Sequence, residues 1–297
     1  MEKIKLTFLG TGNAIPTKKR NHTAMLLTYK DENILIDCGE GTQRQFRIAE
    51  LSPAKITRIL ITHWHGDHVL GLPGLFQTLA MTEYQKTLKI YGPVGTKRFI
   101  EELDKMNKIE IPLEVHEVQG KFAENSEFYL ESIPMTHNCP TLAYSFVIKE
   151  KLRLEKSKIK KFKLPNSTLL KDIAQGKDIK LNGKTIKASQ VTYKEPARKI
   201  TFILDTRLND NAIKIAANSN LLVCESSFSK KEESQAREYM HLTAEQAAQI
   251  AKHSKSKKLI LTHISQRYEH IPKIILNEAK KVFKNSQIVN DFDIIEI

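Results

Sequence analysis

The sequence predicts an α/β protein, in which short strands alternate with amphipathic helices. Short apolar runs recur along the whole chain, and segments of helical periodicity separate the later ones. Hydrophobic residues make up 40% and charged residues 27% of the 297 positions, as in soluble globular proteins. The longest apolar runs fall well short of the ~18 residues that span a bilayer. The length suffices for a sizeable core.

The predicted strands are short apolar runs, and the early half of the chain is richer in strands that could form hairpins. Later strands alternate with helices. In chain order the predicted strands are Ile4–Leu9, Ala24–Leu27, Ile34–Ile36, Ile59–Ile61, Leu88–Tyr91, Phe128–Ile133, Leu142–Ile148, Ile200–Leu204, Leu221–Cys224, Leu259–Leu261 and Ile294–Ile297.

Helices are predicted where apolar residues recur at helical spacing. These segments are Thr96–Met106, Ala212–Ala217, Ala244–His253 and Ile271–Phe283. Thr243 is a suitable N-cap for the third of them, and Gln246 follows three residues later in a capping-box pattern.

The chain is strongly basic. Lys and Arg total 47 against 34 Asp and Glu, which gives a formal net charge of +13 and a pI near 9.4. Residues 149–163 alone hold eight Lys/Arg and two Glu. This balance favours polyanionic partners such as nucleic acid or an acidic membrane surface, and a lysine-rich solvated surface is the alternative explanation.

Residues from about 149 to 199 differ from their flanks. The segment is rich in lysine, contains the turn signals LPNS and LNGK, and has weak periodicity in its first third. We interpret it as an inserted basic arm that projects from a single domain covering residues 1–297. Because the segment is mostly polar, we expect it to bury little core of its own.

The stretch LITHWHGDHVLGLPGL brings three histidines and one aspartate together within six residues. On a strand, His63 and His65 would point to the same face, and Gly66 would let the chain turn after them. Asp67 and His68 would then start the next segment and aim back into the same cavity. Imidazoles combined with a carboxylate suit zinc.

Further residues of ligand type stand at the ends of other apolar runs. They are His137 in SIPMTHNCP, Asp205 in ITFILDTR and His263 in LILTHISQRY. Loops at strand ends gather into sites, so these three residues are candidate ligands as well.

This H-x-H-x-D-H motif with isolated His, Asp and His at strand ends resembles the metallo-β-lactamase superfamily. The resemblance implies a four-layer αβ/βα sandwich, with a protruding basic arm, and two Zn²⁺ per chain, for which other divalent metals could substitute. It assigns one ion to His63, His65 and His137, the other to Asp67, His68 and His263, and the bridging position to Asp205.

A pair of zinc ions suits hydrolysis. Zinc lowers the pKa of water from 15.7 toward roughly 7. Two ions roughly 3.5–4 Å apart stabilise the attacking and leaving oxygens of a phosphodiester displacement. Asp67 is a candidate catalytic residue too, since it could orient or deprotonate the attacking water.

Several longer stretches resemble the ribonuclease Z family of tRNA 3′-processing endonucleases. They are FLGTGNAIPTKKRNHTAMLL, ILIDCGEGTQRQ, THWHGDHVLGLPGL and THISQRY, and they extend over nearly the whole chain outside the basic insertion. PTKKRN fits the P-x-K-x-R-N loop that this family links to sensing the tRNA 3′ end. The RNA-binding residues predicted there are Lys18, Lys19, Arg20 and Asn21.

The basic insertion lies where this family has its flexible tRNA-binding arm, although the arm's usual Gly-Pro motif is absent. By this resemblance, and because lysines neutralise phosphates, the predicted RNA-binding residues of the insertion are Lys158, Lys160, Lys161 and Lys163.

The resemblance also assigns two residues beside the metals. MHLTAEQAAQIA resembles a family H-S/E-x-T-like motif and gives His241 the task of donating a proton to the leaving 3′-oxygen. LLVCESSF aligns with a family H-E-A-T motif, in which Glu225 is kept to orient His241 and Cys224 replaces the histidine. Leu204 stands where the family usually has glycine.

We therefore predict a zinc-dependent endoribonuclease that removes 3′ trailers from tRNA precursors and leaves a tRNA 3′-hydroxyl and a trailer 5′-phosphate. The alternatives are a small-molecule phosphodiesterase or arylsulfatase-like hydrolase of the same superfamily, and an RNA-binding protein with a vestigial metal site. The predicted partner is precursor tRNA, with no membrane, and the resemblance implies a homodimer. Three cysteines without C-x-x-C spacing and the lack of a signal-peptide core fit the cytoplasm.

Overall fold

The computed structural model describes residues 2–181 and 183–297 and divides the chain into two compact units. The main unit contains the chain up to Ala123 together with Leu130–Phe146 and Lys199–Ile297. The second unit contains Glu124–Tyr129 and Val147–Arg198. Asn182, part of the predicted LNGK turn, lies outside the described residues.

The strands are short and mostly buried. In chain order they are β1 (Lys5–Gly10), β2 (Ala24–Tyr29), β3 (Glu32–Ile36), β4 (Arg58–Leu60), β5 (Leu88–Gly92), β6 (Leu113–Glu117), β7 (Gly120–Phe122), β8 (Phe128–Pro134), β9 (Leu142–Ile148), β10 (Lys151–Leu154), β11 (Ile179–Leu181), β12 (Lys184–Ile186), β13 (Thr192–Glu195), β14 (Arg198–Ile203), β15 (Leu221–Glu225), β16 (Leu259–Thr262), β17 (Ser286–Ile288) and β18 (Ile294–Glu296).

The helices range from four to twelve residues in length. They are α1 (Thr42–Ile48), α2 (Gly66–Val69), α3 (Leu72–Met81), α4 (Thr96–Asn107), α5 (Lys156–Lys161), α6 (Thr168–Ala174), α7 (Ala188–Val191), α8 (Asp210–Ala216), α9 (Glu233–Glu238), α10 (Ala244–His253) and α11 (Lys273–Val282). None of these helices combines the length and the apolar character needed to cross a bilayer.

Among the described residues, the main unit holds two seven-stranded sheets, each part antiparallel and part parallel. The first has the strand order β18-β1-β2-β3-β4-β5-β6, with antiparallel pairing from β18 to β3 and parallel pairing from β3 to β6. The second has the order β17-β16-β15-β14-β9-β8-β7, in which β14 to β17 are parallel. The parallel strands bring several carboxyl ends to one edge of each sheet, where ligand sites commonly form.

Helices cover the outer face of each sheet. Helices α1, α3 and α4 share one apolar cluster with the first sheet, and α8, α10 and α11 share another with the second sheet. Between the sheets, the buried Tyr144 hydroxyl donates to the Ile61 carbonyl at 2.8 Å, and the rings of Tyr29 and Phe146 meet edge to face. The four-layer αβ/βα sandwich expected from the sequence is confirmed.

The second unit has a small core of its own. Strand β10 pairs antiparallel with β13, and β11 pairs antiparallel with β12; Gly183, just before β12, has φ +74°. The buried apolar residues are Leu164, Ile173, Ile179, Ile186, Ala188 and Val191. Apolar residues from the hairpin and from α6 and α7 converge to form this small core.

Candidate metal centre

The histidine motif lies in the loop after β4. The expectation that His63 and His65 point to the same face assumed a strand through them, whereas β4 ends at Leu60 and α2 begins at Gly66. The ladder stops because the Thr62 backbone N–H donates to the side chain of Asp37, at 2.7 Å, rather than to a neighbouring strand. The loop is nevertheless extended near His65, which has φ −77° and ψ 152°.

The first turn of α2 supplies the remaining residues of the motif, Asp67 and His68. The chain approaches itself closely just beyond them. A Cβ on Gly71 would lie 2.1 Å from the Gly39 carbonyl oxygen, so only glycine allows this approach. The GLPGL sequence after the histidines therefore has a packing role in fixing α2 and its ligands.

The ends of three strands of the second sheet bring the other candidate ligands to the same place. His137 follows β8, Asp205 follows β14 and His263 follows β16. Asp205 and His263 have positive φ values of 28° and 57°. Non-glycine residues seldom adopt this conformation, and its strain is characteristic of functional sites.

All seven predicted ligands converge in the structure. They form two groups that share Asp205, namely His63, His65, His137 and Asp205, and Asp67, His68, Asp205 and His263. Within each group the ligand atoms lie within 4.8 Å of one another. The geometry also groups Glu225 and His241 with His263.

The donor atoms of this cluster suit bound metal ions. Nε2 of His63 and Oδ1 of Asp205 are buried and lack a hydrogen-bond partner among the described residues. Nε2 of His68 and Nε2 of His263 are only 3.2 Å apart, and Asp205 Oδ1 lies 3.1 Å from the latter. Buried nitrogen and oxygen donors that face one another in this way are accounted for by shared cations.

The charges in the cluster favour a cation as well. Burial raises the pKa of Asp205, but the surrounding imidazoles lower it further, and the net pKa is well below the usual range. The pKa of Asp67 is lowered in the same way by His68 and His263, against the effect of burial. Burial and the charge of His68 lower the pKa of His63 to about 4, so this imidazole is neutral and its lone pair is available.

Asp37 supports the candidate site and was not predicted from the sequence. It is fully buried, and its carboxylate accepts hydrogen bonds from the Thr62 N–H at 2.7 Å, the Thr62 hydroxyl at 2.7 Å and Nδ1 of His68 at 2.6 Å. Such a carboxylate orients a ligating imidazole and fixes its tautomer. The sequence feature that could have identified Asp37 is its position in ILIDCGEG, directly after an apolar run.

Glu225 and His241 form a buried pair beside the cluster. Glu225 ends β15 and is fully buried, and its two carboxylate oxygens lie 3.0 and 3.1 Å from Nδ1 of His241. Burial lowers the pKa of His241, but the carboxylates of Glu225 and Asp205 raise it more, to about 9. The metal-free chain therefore holds His241 as a proton donor at neutral pH.

Ser227, also missed from the sequence, connects this pair to the candidate ligands. Its hydroxyl donates to Glu225 at 2.7 Å and lies 2.8 Å from Nδ1 of His263, from which it can accept. The Glu225 carboxylate also accepts from the backbone N–H of Thr206 at 2.7 Å. The carboxylate is thus saturated with donors, which keeps it in place next to His241.

The PTKKRN loop divides into an inner and an outer part. Lys18 and Lys19 are exposed, whereas Arg20 is only 4% exposed. The Arg20 guanidinium donates to the Val289 carbonyl at 2.6 Å, and the Asn21 backbone N–H donates to Asp291 at 2.7 Å. Arg20 and Asn21 therefore anchor the loop to the segment before β18, and the two lysines are the side chains that it presents.

The predicted RNA-binding lysines of the insertion lie in and after α5 of the second unit. Lys160, Lys161 and Lys163 are exposed, and Lys158 is half-buried and forms an ion pair with Glu155 at 2.7 Å. Three of the four positions therefore present a charge to solvent.

The two departures from the family motifs do not disturb the cluster. Cys224 is fully buried in the apolar cluster beneath the second sheet, where it packs as a small hydrophobic residue. Leu204 is fully buried too, and the left-handed conformation belongs to the next residue, Asp205.

A cavity of about 360 Å³ lies over the candidate metal centre. Residues of the cluster form its floor, and its sides come from the segments around Ala14, Tyr239 and Gln266. It is large enough to admit a nucleotide-sized group to His241 and to the five candidate ligands that line it.

Comparisons with known proteins agree with this geometry. A family model described as anti-Pycsar protein Apyc1 matches residues 4–159. Ribonuclease Z of Methanothermobacter thermautotrophicus is 36% identical over 99% of this chain and 97% of that protein. The short form of human tRNase Z is 26% identical with a TM-score of 0.70, over 98% of both chains. The metallo-β-lactamase fold protein YhfI of Bacillus subtilis has a TM-score of 0.73 at 18% identity, over the whole of both chains.

Proposed function

The chain belongs to the ribonuclease Z family, with a first half that also fits the Apyc1 family model, and we propose that it removes 3′ trailers from tRNA precursors. The products are a tRNA with a 3′-hydroxyl and a trailer with a 5′-phosphate. The observation that carries this proposal is the convergence of seven His and Asp side chains beneath a cavity that also contains His241.

We propose two zinc ions as the metals. One would be held by His63, His65, His137 and Asp205, and the other by Asp67, His68, His263 and Asp205. Nε2 of His63 and Oδ1 of Asp205, which have no hydrogen-bond partner among the described residues, support this assignment. When bound, such ions supply the Lewis acidity that phosphodiester hydrolysis requires.

The protein side chains would then divide the remaining tasks. Asp37 and Ser227 hold the imidazoles of His68 and His263 in position through Nδ1. Asp67, at the edge of the cavity, is placed to orient the attacking water through its carboxylate. His241, oriented by Glu225 through Nδ1, is placed to donate a proton to the departing 3′-oxygen.

The positive charges outside the centre would bind the RNA backbone. Lys18 and Lys19 are exposed on the PTKKRN loop, which follows the cavity-lining Ile15, and Lys160, Lys161 and Lys163 are exposed in the second unit. We propose that residues 149–199 act as an arm that contacts the precursor tRNA through phosphates. The family resemblance leads us further to propose a homodimer in the cytoplasm, which light scattering and localisation of the tagged chain would test.

The decisive experiment is incubation of the zinc-loaded chain with a 3′-extended tRNA precursor, followed by mapping of both new ends. We expect cleavage at the 3′ boundary of the tRNA and about two zinc ions per chain by elemental analysis. The His65→Ala variant is the control, since it removes one ligand from the exposed side of the centre. Hydrolysis of small phosphodiesters without any tRNA cleavage would contradict the proposal, and so would RNA binding by a chain that takes up no metal.

A further inference from the structure

The cavity has an aromatic side that the reaction scheme leaves unused. Tyr239 and Phe228 line it together with His241. The two aromatic rings are nearly parallel, at an interplanar angle of 7° with centroids 6.3 Å apart. Phe228 is 5% exposed and Tyr239 is 55% exposed, so a buried ring supports a ring that is open to solvent.

Phe228 is held firmly enough to serve as this support. Its backbone carbonyl accepts from the Ala244 N–H at 2.9 Å, at the start of α10. The guanidinium carbon of Arg267 lies 5.3 Å from the centre of the Phe228 ring, and Arg267 itself donates to Gln235 at 3.2 Å. Cation–π contact and burial thus fix the ring against which Tyr239 stacks.

Tyr239 stands at a defined position relative to the proton donor. It precedes His241 by two residues, and Met240 between them has φ +57°, which turns the chain sharply. The His241 backbone N–H donates to the Ala236 carbonyl at 2.8 Å and that of Tyr239 to Gln235 at 2.9 Å, so α9 holds both residues. The tyrosine ring therefore flanks the side of the cavity where the leaving 3′-oxygen would be protonated.

We propose that Tyr239 is a stacking platform for the nucleobase of the nucleotide whose 3′-oxygen leaves, the last nucleotide of the mature RNA. The proposal rests on the proposed function, because it takes His241 as the proton donor to that oxygen. Every base offers a π face, so the platform accepts all four bases. By stacking on the base, the Tyr239 ring holds the attached sugar next to His241. It makes no hydrogen bonds to the edge of the base.

The test compares two precursor tRNAs, one unmodified and one with an abasic residue at the last nucleotide of the mature RNA. The variants are Tyr239→Ala, Tyr239→Phe and, as a matched control, Ile294→Ala, an exposed apolar residue on edge strand β18. With the unmodified RNA we expect Tyr239→Ala to lower kcat/KM roughly tenfold. Tyr239→Phe and Ile294→Ala should keep the wild-type value. With the abasic RNA, the wild type and Tyr239→Ala should be equal.

A second measurement reports stacking without cleavage. RNA with 2-aminopurine at the same nucleotide and a non-cleavable linkage after it should lose fluorescence on binding to the wild type and to Tyr239→Phe, but not on binding to Tyr239→Ala. The proposal is overturned if the quenching is the same in all three proteins, or if the loss caused by Tyr239→Ala persists in full on the abasic RNA. A wild type that cleaves no precursor would instead remove the proposed function, while the quenching measurement would still decide whether Tyr239 stacks on the base.

Discussion

Replacement of Asp37 by asparagine should weaken the metal centre while leaving the cavity unchanged in size. The carboxylate is fully buried and accepts three hydrogen bonds, at 2.7, 2.7 and 2.6 Å. An asparagine side chain has a single acceptor oxygen, and its NH₂ group would face a donor. One buried donor then lacks an acceptor, which should lower the free energy of unfolding by about 1–3 kcal/mol. Because His68 loses its orientation, zinc affinity should fall by roughly 10- to 100-fold.

The assay is competition for zinc between a chromophoric chelator and the metal-free protein. Asp31→Asn is the matched control, because Asp31 is an exposed carboxylate in the turn between β2 and β3. We expect the control to bind zinc like the wild type, and urea unfolding of the metal-free proteins should give the stability difference separately. If Asp37→Asn bound zinc as tightly as the wild type, the hydrogen bond to His68 would not be what orients the ligand.

Further outcomes are expected elsewhere in the molecule. His241→Ala should lower kcat on precursor tRNA by roughly 10²- to 10⁴-fold with unchanged zinc content, which single-turnover cleavage and elemental analysis will check. Replacement of Lys160, Lys161 and Lys163 by serine should weaken the salt dependence of RNA binding. The slope of log K against log salt concentration should become less negative by up to about 3, as measured by filter binding. Hydrolysis of bis(p-nitrophenyl) phosphate should stay the same in that triple variant. Burial raises the pKa of the Cys38 thiol to about 12. As the pH rises, this thiol therefore loses its proton in the unfolded chain at a lower pH than in the folded chain. Above pH ~9 the wild type should therefore lose about 1.4 kcal/mol per pH unit relative to Cys38→Ala, by urea unfolding at pH 8 and 10.5.

The apolar pattern of the sequence predicted the framework better than the connections. Strand β9 (Leu142–Ile148) and helix α10 (Ala244–His253) have the predicted bounds, and the Thr243–Gln246 capping box is present. Both elements have strong local signals, an unbroken apolar run and an N-cap. Strand β6 was missed because its partly exposed LEVHE sequence at the sheet edge has no clear apolar run.

In the candidate site, residues that are close in sequence could be predicted, whereas contacts between residues far apart in sequence could not. The sequence motif was sufficient to select His63, His65, Asp67 and His68, since the chain alone keeps them together. The supporting contacts of Asp37 could not be predicted, because its partners Thr62 and His68 lie 25 and 31 residues away. For Arg20, the resemblance of PTKKRN to a family loop suggested RNA binding, and only the fold reveals its carbonyl partner 269 residues away.

The anchoring of the PTKKRN loop bears on when the chain becomes competent during its synthesis. Every candidate ligand has been made once residue 263 is in place, yet the loop beside the cavity is fastened by Val289, Asn290 and Asp291. Strand β18, which pairs with β1 at the edge of the first sheet, comes later still. A ribosome-bound chain can therefore bring its candidate ligands together before the PTKKRN loop is held in place. We expect nuclease competence to appear only after residues 289–291 have been made and hold the loop.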